Sequence, residues 1–242
     1  MKILILGGTA EARELAGRLV AEGHEVVTSL AGRTQEPRLP PGAVRMGGFG
    51  GIAGLCAYLR AARIDRMVDA THPYAGQISF NAVQAAQETG VPLVRYMRPP
   101  WEQQIGDNWI TVETVAEAAA ALPPNAVVLL TTGHTGLEQF MERDDCRFVV
   151  RTIEKPAMGL PGHAELLQDR PPYSLDGEIA LMQHKGITHL VSKNSGGLQT
   201  QSKLEAARRL GIGVIMIARP AYGPAHEVTS VEAAMVALGL AS

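Results

Sequence analysis

The sequence predicts an α/β protein of two Rossmann-like parallel-sheet domains, and three observations predict it. Strand-like apolar runs alternate with helix-like runs almost throughout, which is the pattern of a parallel sheet covered by helices. The chain opens Ile-Leu-Ile-Leu-Gly-Gly-Thr-Ala, a strand, a glycine turn and a helix start. The alternation breaks at Arg98-Pro99-Pro100-Trp101 and then restarts. Paired prolines continue neither a helix nor a central strand. A boundary there predicts domains 1–97 and 98–242, with the active site in the cleft between them.

Ile3 to Leu6 is expected as a buried strand, and Ala10 to Glu22 as a helix with Leu15, Leu19 and Val20 on one face. Gly23 stops that helix. Strand His24 to Leu30, helix Gly51 to Arg63, strand Arg66 to Asp69, helix Gly76 to Thr89 and strand Pro92 to Arg95 complete the first half. Beyond the prolines come strand Trp109 to Val112, helix Val115 to Leu122, strand Ala126 to Thr131 and strand Phe148 to Thr152. A loop then runs to about Tyr173. Helix Asp176 to Lys185, strand His189 to Ser192, helix Leu198 to Leu210, strand Gly213 to Ile217 and helix Ser230 to Leu238 close the chain.

Composition narrows the function classes. The 242 residues suffice for a sizeable core, and 46% hydrophobic with 19% charged residues suits an α/β enzyme. A net charge of −2 gives no global field toward nucleic acid or an anionic membrane. Cys56 and Cys146 are too isolated for a disulfide framework or a zinc site, and the seven histidines are scattered, so no metal is expected. The first apolar run is too short for a signal peptide, and no run reaches membrane-span length, so a cytoplasmic location is expected.

The opening turn carries the cofactor signal. Gly7 and Gly8 let the backbone turn tightly toward a pyrophosphate, and Thr9 can cap the helix whose amides would face it. Against the full dinucleotide fingerprint the turn is degenerate, with Thr9 and Ala12 at the second and third glycine places. The plain alternative is an ordinary strand-to-helix turn. The second strand ends Thr28-Ser29-Leu30-Ala31-Gly32-Arg33, without the carboxylate that holds an NAD ribose. A hydroxyl and a guanidinium there favour NADPH over NADH, although a loop arginine is often merely solvated.

Other loops resist a purely structural reading. Gly47-Gly48-Phe49-Gly50-Gly51 is costly in backbone entropy and suits a loop pressed against a flat ligand. Asp69-Ala70-Thr71-His72-Pro73 follows a strand on the edge where ligands bind. His72 is a candidate proton donor there, with a structural or ribose-contacting role as the alternative. Thr131-Thr132-Gly133 repeats the turn in the second half. Lys193-Asn194-Ser195-Gly196-Gly197 has the composition of an anion-binding nest before a helix. Arg98 and Arg219 each precede a proline at a strand end, and with Lys193 they are candidates to meet a carboxylated ligand. Isolated surface cations are the alternative. No Tyr-x-x-x-Lys pair, Gly-x-Ser-x-Gly elbow or Walker lysine occurs, which disfavours short-chain dehydrogenase or epimerase chemistry, ester hydrolysis and phosphoryl transfer.

The set GGTAEAR, SLAGRT, RMGGFGG, VDATHPYA, RPPW, TTG, VSKNSGG with Thr200 and Lys203, and the late ARP closely resembles the precorrin-6A reductase family. The motifs span nearly the whole chain in the family's order and are specific as a set. The resemblance implies NADPH-dependent reduction of one double bond of the precorrin-6A macrocycle, giving precorrin-6B in corrin synthesis. It implies cofactor contacts at Gly7, Gly8, Thr9, Ala10, Ser29, Gly32, Arg33, Asp69, Ala70, Thr71, Pro73 and Gly133. For the tetrapyrrole it implies Phe49, Arg98, Trp101, Lys193, Asn194, Ser195, Gly196, Gly197 and Arg219. Transient hand-over to neighbouring pathway enzymes is a further expectation. The rival from another class is a non-catalytic NADPH-binding sensor, which would have no reason to gather cations at the second domain's loops.

Overall fold

The computed structural model describes residues 1–32 and 38–240. Two compact units are present: Met1–Pro99 together with the segment from Pro220 onward, and Pro100–Arg219. The first carries strands β1 (Lys2–Leu6), β2 (Glu25–Leu30), β3 (Ala43–Met46), β4 (Arg66–Asp69) and β5 (Leu93–Tyr96). Its helices are α1 (Ala10–Ala21), α2 (Gly51–Ala61) and α3 (Gly76–Thr89). In the second unit lie β6 (Trp109–Val112), α4 (Val115–Ala120), β7 (Val127–Leu130), α5 (Leu137–Met141), β8 (Arg147–Thr152) and β9 (Ala164–Gln168). They are followed by α6 (Leu175–His184), β10 (His189–Lys193), α7 (Ser202–Leu210) and β11 (Gly213–Ile217). Finally β12 (His226–Val228) and α8 (Val231–Ala237) rejoin the first unit.

Both sheets are parallel, in the orders β12-β5-β4-β1-β2-β3 and β6-β11-β10-β7-β8-β9. Each is the doubly wound order, with the chain reversing direction at β1/β4 and at β7/β10. The sixth place in each sheet has a topological twist. β6 follows β5 in the chain yet closes the second sheet, and β12 follows β11 yet closes the first.

Sequence alone assigns residues 220–242 to the second domain, and the fold corrects this. β12 registers on β5 through His226↔Val94 and Val228↔Tyr96, while α8 lays Val231, Ala234 and Met235 into the core with Leu15 and Leu19 of α1. Burial of that apolar face, not chain proximity, decides where the segment goes. The break itself lies at Pro99–Pro100, two residues beyond the expected boundary.

β1 anchors the first unit. Ile3 and Ile5 point into one core layer and Leu4 and Leu6 into the other, all 2% exposed or less. Each fully buried aliphatic side chain contributes about 1.5–3 kcal/mol, which favours this strand at the centre of the unit. In the second unit Leu129, Leu190, Val214 and Met216 pack against Met182 and Leu204. Elements that periodicity does not predict are β3, β9, β12 and α5. All are short, and the three strands are edge or near-edge with polar or half-exposed residues. The stretch expected as helix from Leu198 begins instead with a single 3-10 turn, Leu198–Thr200, before α7.

Candidate functional site

In the first unit the glycine turn and the loop after β4 meet at the point where strand order reverses. Gly7 donates its N–H to Ser29 O at 2.9 Å, which continues the β1–β2 ladder into the turn. A Cβ at Gly7 would lie 2.7 Å from Thr28 Cγ2, so no side chain fits. Gly8 adopts φ +113°, and a Cβ there would meet nothing within 4 Å. Thr9 caps α1 as expected: its hydroxyl accepts from Ala12 N at 3.1 Å and donates to Ala70 O at 2.8 Å. That second bond fastens the β1 turn to the β4 turn. Ala10 opens the 12-residue helix, whose first-turn amides face the turn.

The β4 loop divides into a structural base and an accessible rim. Asp69 is buried, accepting from Thr71 Oγ1 at 2.7 Å and Thr71 N at 3.3 Å and pairing with Arg95 Nε at 3.4 Å. Its carboxylate therefore shapes the loop. His72 is exposed, and its Nδ1 accepts from Tyr74 N at 3.2 Å. That contact leaves Nε2 as the protonated nitrogen of the neutral ring. Pro73 and Thr71 line a small hollow with Thr9, Glu11, Tyr96, Met97 and Arg98. Burial, with Glu14, Glu11 and Glu232 adding to it, pushes the Tyr96 hydroxyl up to about 12, so it stays a neutral donor. Arg98 pairs with Glu11 at 2.9 Å, which sets its guanidinium at the first turn of α1. Tyr96 and Glu11 escape sequence reasoning, because a strand-end Tyr and a first-turn Glu are commonplace.

At the far end of the same edge Ser29 is buried, and its hydroxyl accepts from Arg45 Nη1 at 2.8 Å. Gly32 has φ +74°. Arg33 lies outside the described residues. Phe49 packs edge-on against Tyr58 at 5.3 Å, under the Arg45 guanidinium. Arg45 is absent from the sequence-derived set. The signal available was its place in Arg-Met-Gly-Gly-Phe-Gly-Gly, but β3 was not predicted.

The second unit holds the remaining candidates. Gly133, φ +75°, follows β7, in the sheet other than the one carrying the remaining cofactor candidates. Lys193 ends β10, and Ser195, Gly196 and Gly197 follow in a tight loop with Ser195 N donating to Lys193 O at 2.7 Å. Asn194 is committed at both ends of its amide. Its Oδ1 accepts from Trp101 N at 2.8 Å and its Nδ2 donates to Trp101 O at 3.0 Å, while Arg219 Nε donates to its carbonyl at 2.8 Å. Lys193 and Arg219 are thus neighbours through Asn194, whereas Arg98 belongs to the other unit. Trp101 packs into the second unit's core, with Lys203 Nζ 5.1 Å from its ring.

A family model described as Precorrin-6x reductase CbiJ/CobK matches residues 2–239. The chain belongs to that family. The family is one of oxidoreductases, so a reductant and a tetrapyrrole are its reaction partners. The precorrin-6A reductase of Rhodococcus erythropolis is 47% identical over 238 residues, covering 98% of this chain and 96% of that protein. The cobalt-precorrin-6A reductase of Priestia megaterium is 32% identical over 233 residues, covering 90% of each. A solved structure of CobK precorrin-6A reductase superposes with a TM-score of 0.94 at 41% identity, covering 99% of this chain and 96% of that one. No described helix is long and apolar enough to cross a membrane.

Proposed function

We propose that this reductase transfers a hydride from NADPH to one double bond of precorrin-6A, giving precorrin-6B. The observation that carries the reading is the glycine turn with its capped helix at the strand-order reversal, in a chain of this family. NADPH, when bound, supplies the hydride. The protein's part is placement: the open face of Gly8 and the first-turn amides of α1 suit a pyrophosphate, and the Thr9–Ala70 bond holds both loops of the site in one geometry. A proton must also reach the reduced system. His72 is exposed on the β4 loop and, as the imidazolium, is the candidate donor.

We assign the metal-free macrocycle because the relative named for it is 47% identical and the one named for the cobalt form 32%. A cytoplasmic location accords with two free cysteines. Hand-over of product to the next enzyme remains part of the reading. The test is to follow NADPH absorbance with precorrin-6A, with cobalt-precorrin-6A and with neither. Oxidation without macrocycle, or with NADH as efficiently, would sink the assignment.

Lys193 tests the substrate side. It ends β10 in the glycine loop, where a cation would meet the carboxylate arms of the macrocycle. Lys193→Ala is expected to raise the Michaelis constant for precorrin-6A by roughly threefold to tenfold and to leave NADPH affinity unchanged. Macrocycle binding should also weaken as salt rises. If neither the variant nor salt changes that affinity, the loop has no part in binding the substrate.

A further inference from the structure

We propose that Arg45 is the residue that recognises the 2′-phosphate of NADPH, with Phe49 as its platform. The inference rests on the NADPH reading and adds a residue to it.

Strands β2 and β3 run parallel, with Ser29 and Arg45 as register partners, so both side chains leave the same face of the sheet near its ligand-binding edge. The end of β2 is where a dinucleotide fold meets the adenosine ribose, and an NAD site places an acid there. Here that position carries Ser29, and the cation comes from the neighbouring strand. Arg45 Nη1 donates to Ser29 Oγ and to Gly47 O, both at 2.8 Å, and Nη2 donates to Gly48 O at 3.0 Å. Its Cζ stands 3.8 Å from the Phe49 ring centroid. Phe49 is itself fixed from behind: a Cβ on Gly54 would come within 1.7 Å of its carbonyl oxygen, so α2 lies hard against it.

These contacts hold the guanidinium still without cancelling its charge. Every partner is a hydroxyl, a carbonyl or a ring face, and among the described residues no carboxylate pairs with Arg45. The Nε hydrogen and the second Nη2 hydrogen remain for a ligand. Ser29 accepts from Arg45, so its own hydroxyl hydrogen is available to the same phosphate. A fixed, uncompensated guanidinium beside a hydroxyl donor suits a phosphate dianion. It gives no advantage to a ribose carrying only hydroxyls. Phe49 then supports the cofactor end of the site rather than the macrocycle.

The test is to measure Kd for NADPH and NADH in wild type, Arg45→Gln, Arg45→Lys and Phe49→Leu, with adenosine 2′,5′-bisphosphate and ADP as competitors. Arg45→Gln is expected to weaken NADPH by about tenfold to a hundredfold and NADH by less than about threefold. Arg45→Lys should keep part of the preference, and Phe49→Leu should cost NADPH about twofold to fivefold. In wild type the 2′,5′-bisphosphate should compete far better than ADP.

If wild type prefers NADPH and Arg45→Gln keeps that preference, the inference fails while the NADPH reading stands. Equal loss of both cofactors in Arg45→Gln makes Arg45 a staple of the Gly47–Gly51 loop and overturns the inference too. A wild type that does not distinguish the cofactors overturns the NADPH reading itself. Should Arg45→Gln fail to fold, Arg45→Lys and the wild-type competition decide: a reduced but surviving preference in the lysine variant, with ADP competing poorly in wild type, supports the role. Equal competition overturns it.

Discussion

Arg95→Met is expected to cost the protein about 3–5 kcal/mol of stability, the loss typical of orphaning one member of a buried ion pair. Arg95 is 0% exposed and Asp69 1%, and they meet at 3.4 Å. Methionine fills much of the arginine volume, so the expected cost is electrostatic rather than a cavity. It leaves the Asp69 carboxylate with Thr71 as its remaining donor among the described residues. The other ion pair of Arg95, to Glu227 at 2.9 Å, is shorter, yet Glu227 is 56% exposed. Solvent screens that arm, so Glu227→Gln should cost less than about 1 kcal/mol. The order of the two effects is thus set by burial against distance, and urea unfolding of both variants measures it. Arg95 also donates to Gly223 O at 3.0 Å, on the returning segment that leads to β12. The loss should therefore appear together with increased hydrogen exchange at β12 and α8. A cost near that of Glu227→Gln would show that the buried pair contributes no more than a surface one. In a double variant, Asp69→Asn should recover part of the loss, because the unpaired charge is gone.

Among the strands, those with two-sided burial are the most readily read from the residues, and the edge strand β6 is read as well because Trp-Ile-Thr-Val consists of strand formers. β1, β4, β7, β10 and β11 are apolar runs ending in glycine, hydroxyl or charged turns, and each lies within a residue or two of where periodicity puts it. β3, β9 and β12 are not legible for the same physical reason. Ala-Val-Arg-Met, Ala-Glu-Leu-Leu-Gln and His-Glu-Val sit at or near sheet edges, bury little, and show no pattern that a loop would not also show. The destination of β12 is invisible locally. Periodicity marks a strand but not its partner, and β12 pairs with a strand 132 residues earlier, in the register Glu227↔Arg95.

The site divides along similar lines. Gly7, Gly8 and Thr9 are legible because a turn, a cap and a strand are local events. Asn194 is not, because its amide is used on the backbone of Trp101, 93 residues away, where the sequence offers only an apparent ligand group in a glycine loop. Arg45 is the converse case. Its importance depends on the register of β3 against β2, and without β3 it is one surface arginine among many.

Gly7→Ala is expected to disable the turn between β1 and α1, and the cause can be separated from backbone strain. Gly7 does not need a left-handed φ, so alanine is allowed by the backbone there. The obstacle is Thr28, whose Cγ2 would lie 2.7 Å from the new Cβ, where ordinary contact begins at 3.4 Å. Thr28 is 1% exposed in β2 and has no room to swing away, so the turn must move instead. Overpacking of this kind costs about 1–3 kcal/mol, and displacing the turn should lower turnover by up to about a hundredfold. Thr28→Ala removes the offending methyl together with a hydroxyl that is buried without a partner among the described residues. In the double variant the alanine at position 7 enters the space the methyl left, and both stability and NADPH affinity should recover. Gly8→Ala is the control. Its φ of +113° strains any side chain by about 1–3 kcal/mol, with nothing within 4 Å to relieve. Thr28→Ala should therefore leave the Gly8 variant as impaired as before. Recovery of the Gly8 variant, or none in the Gly7 pair, would mean that the Thr28 contact does not set the position of the turn.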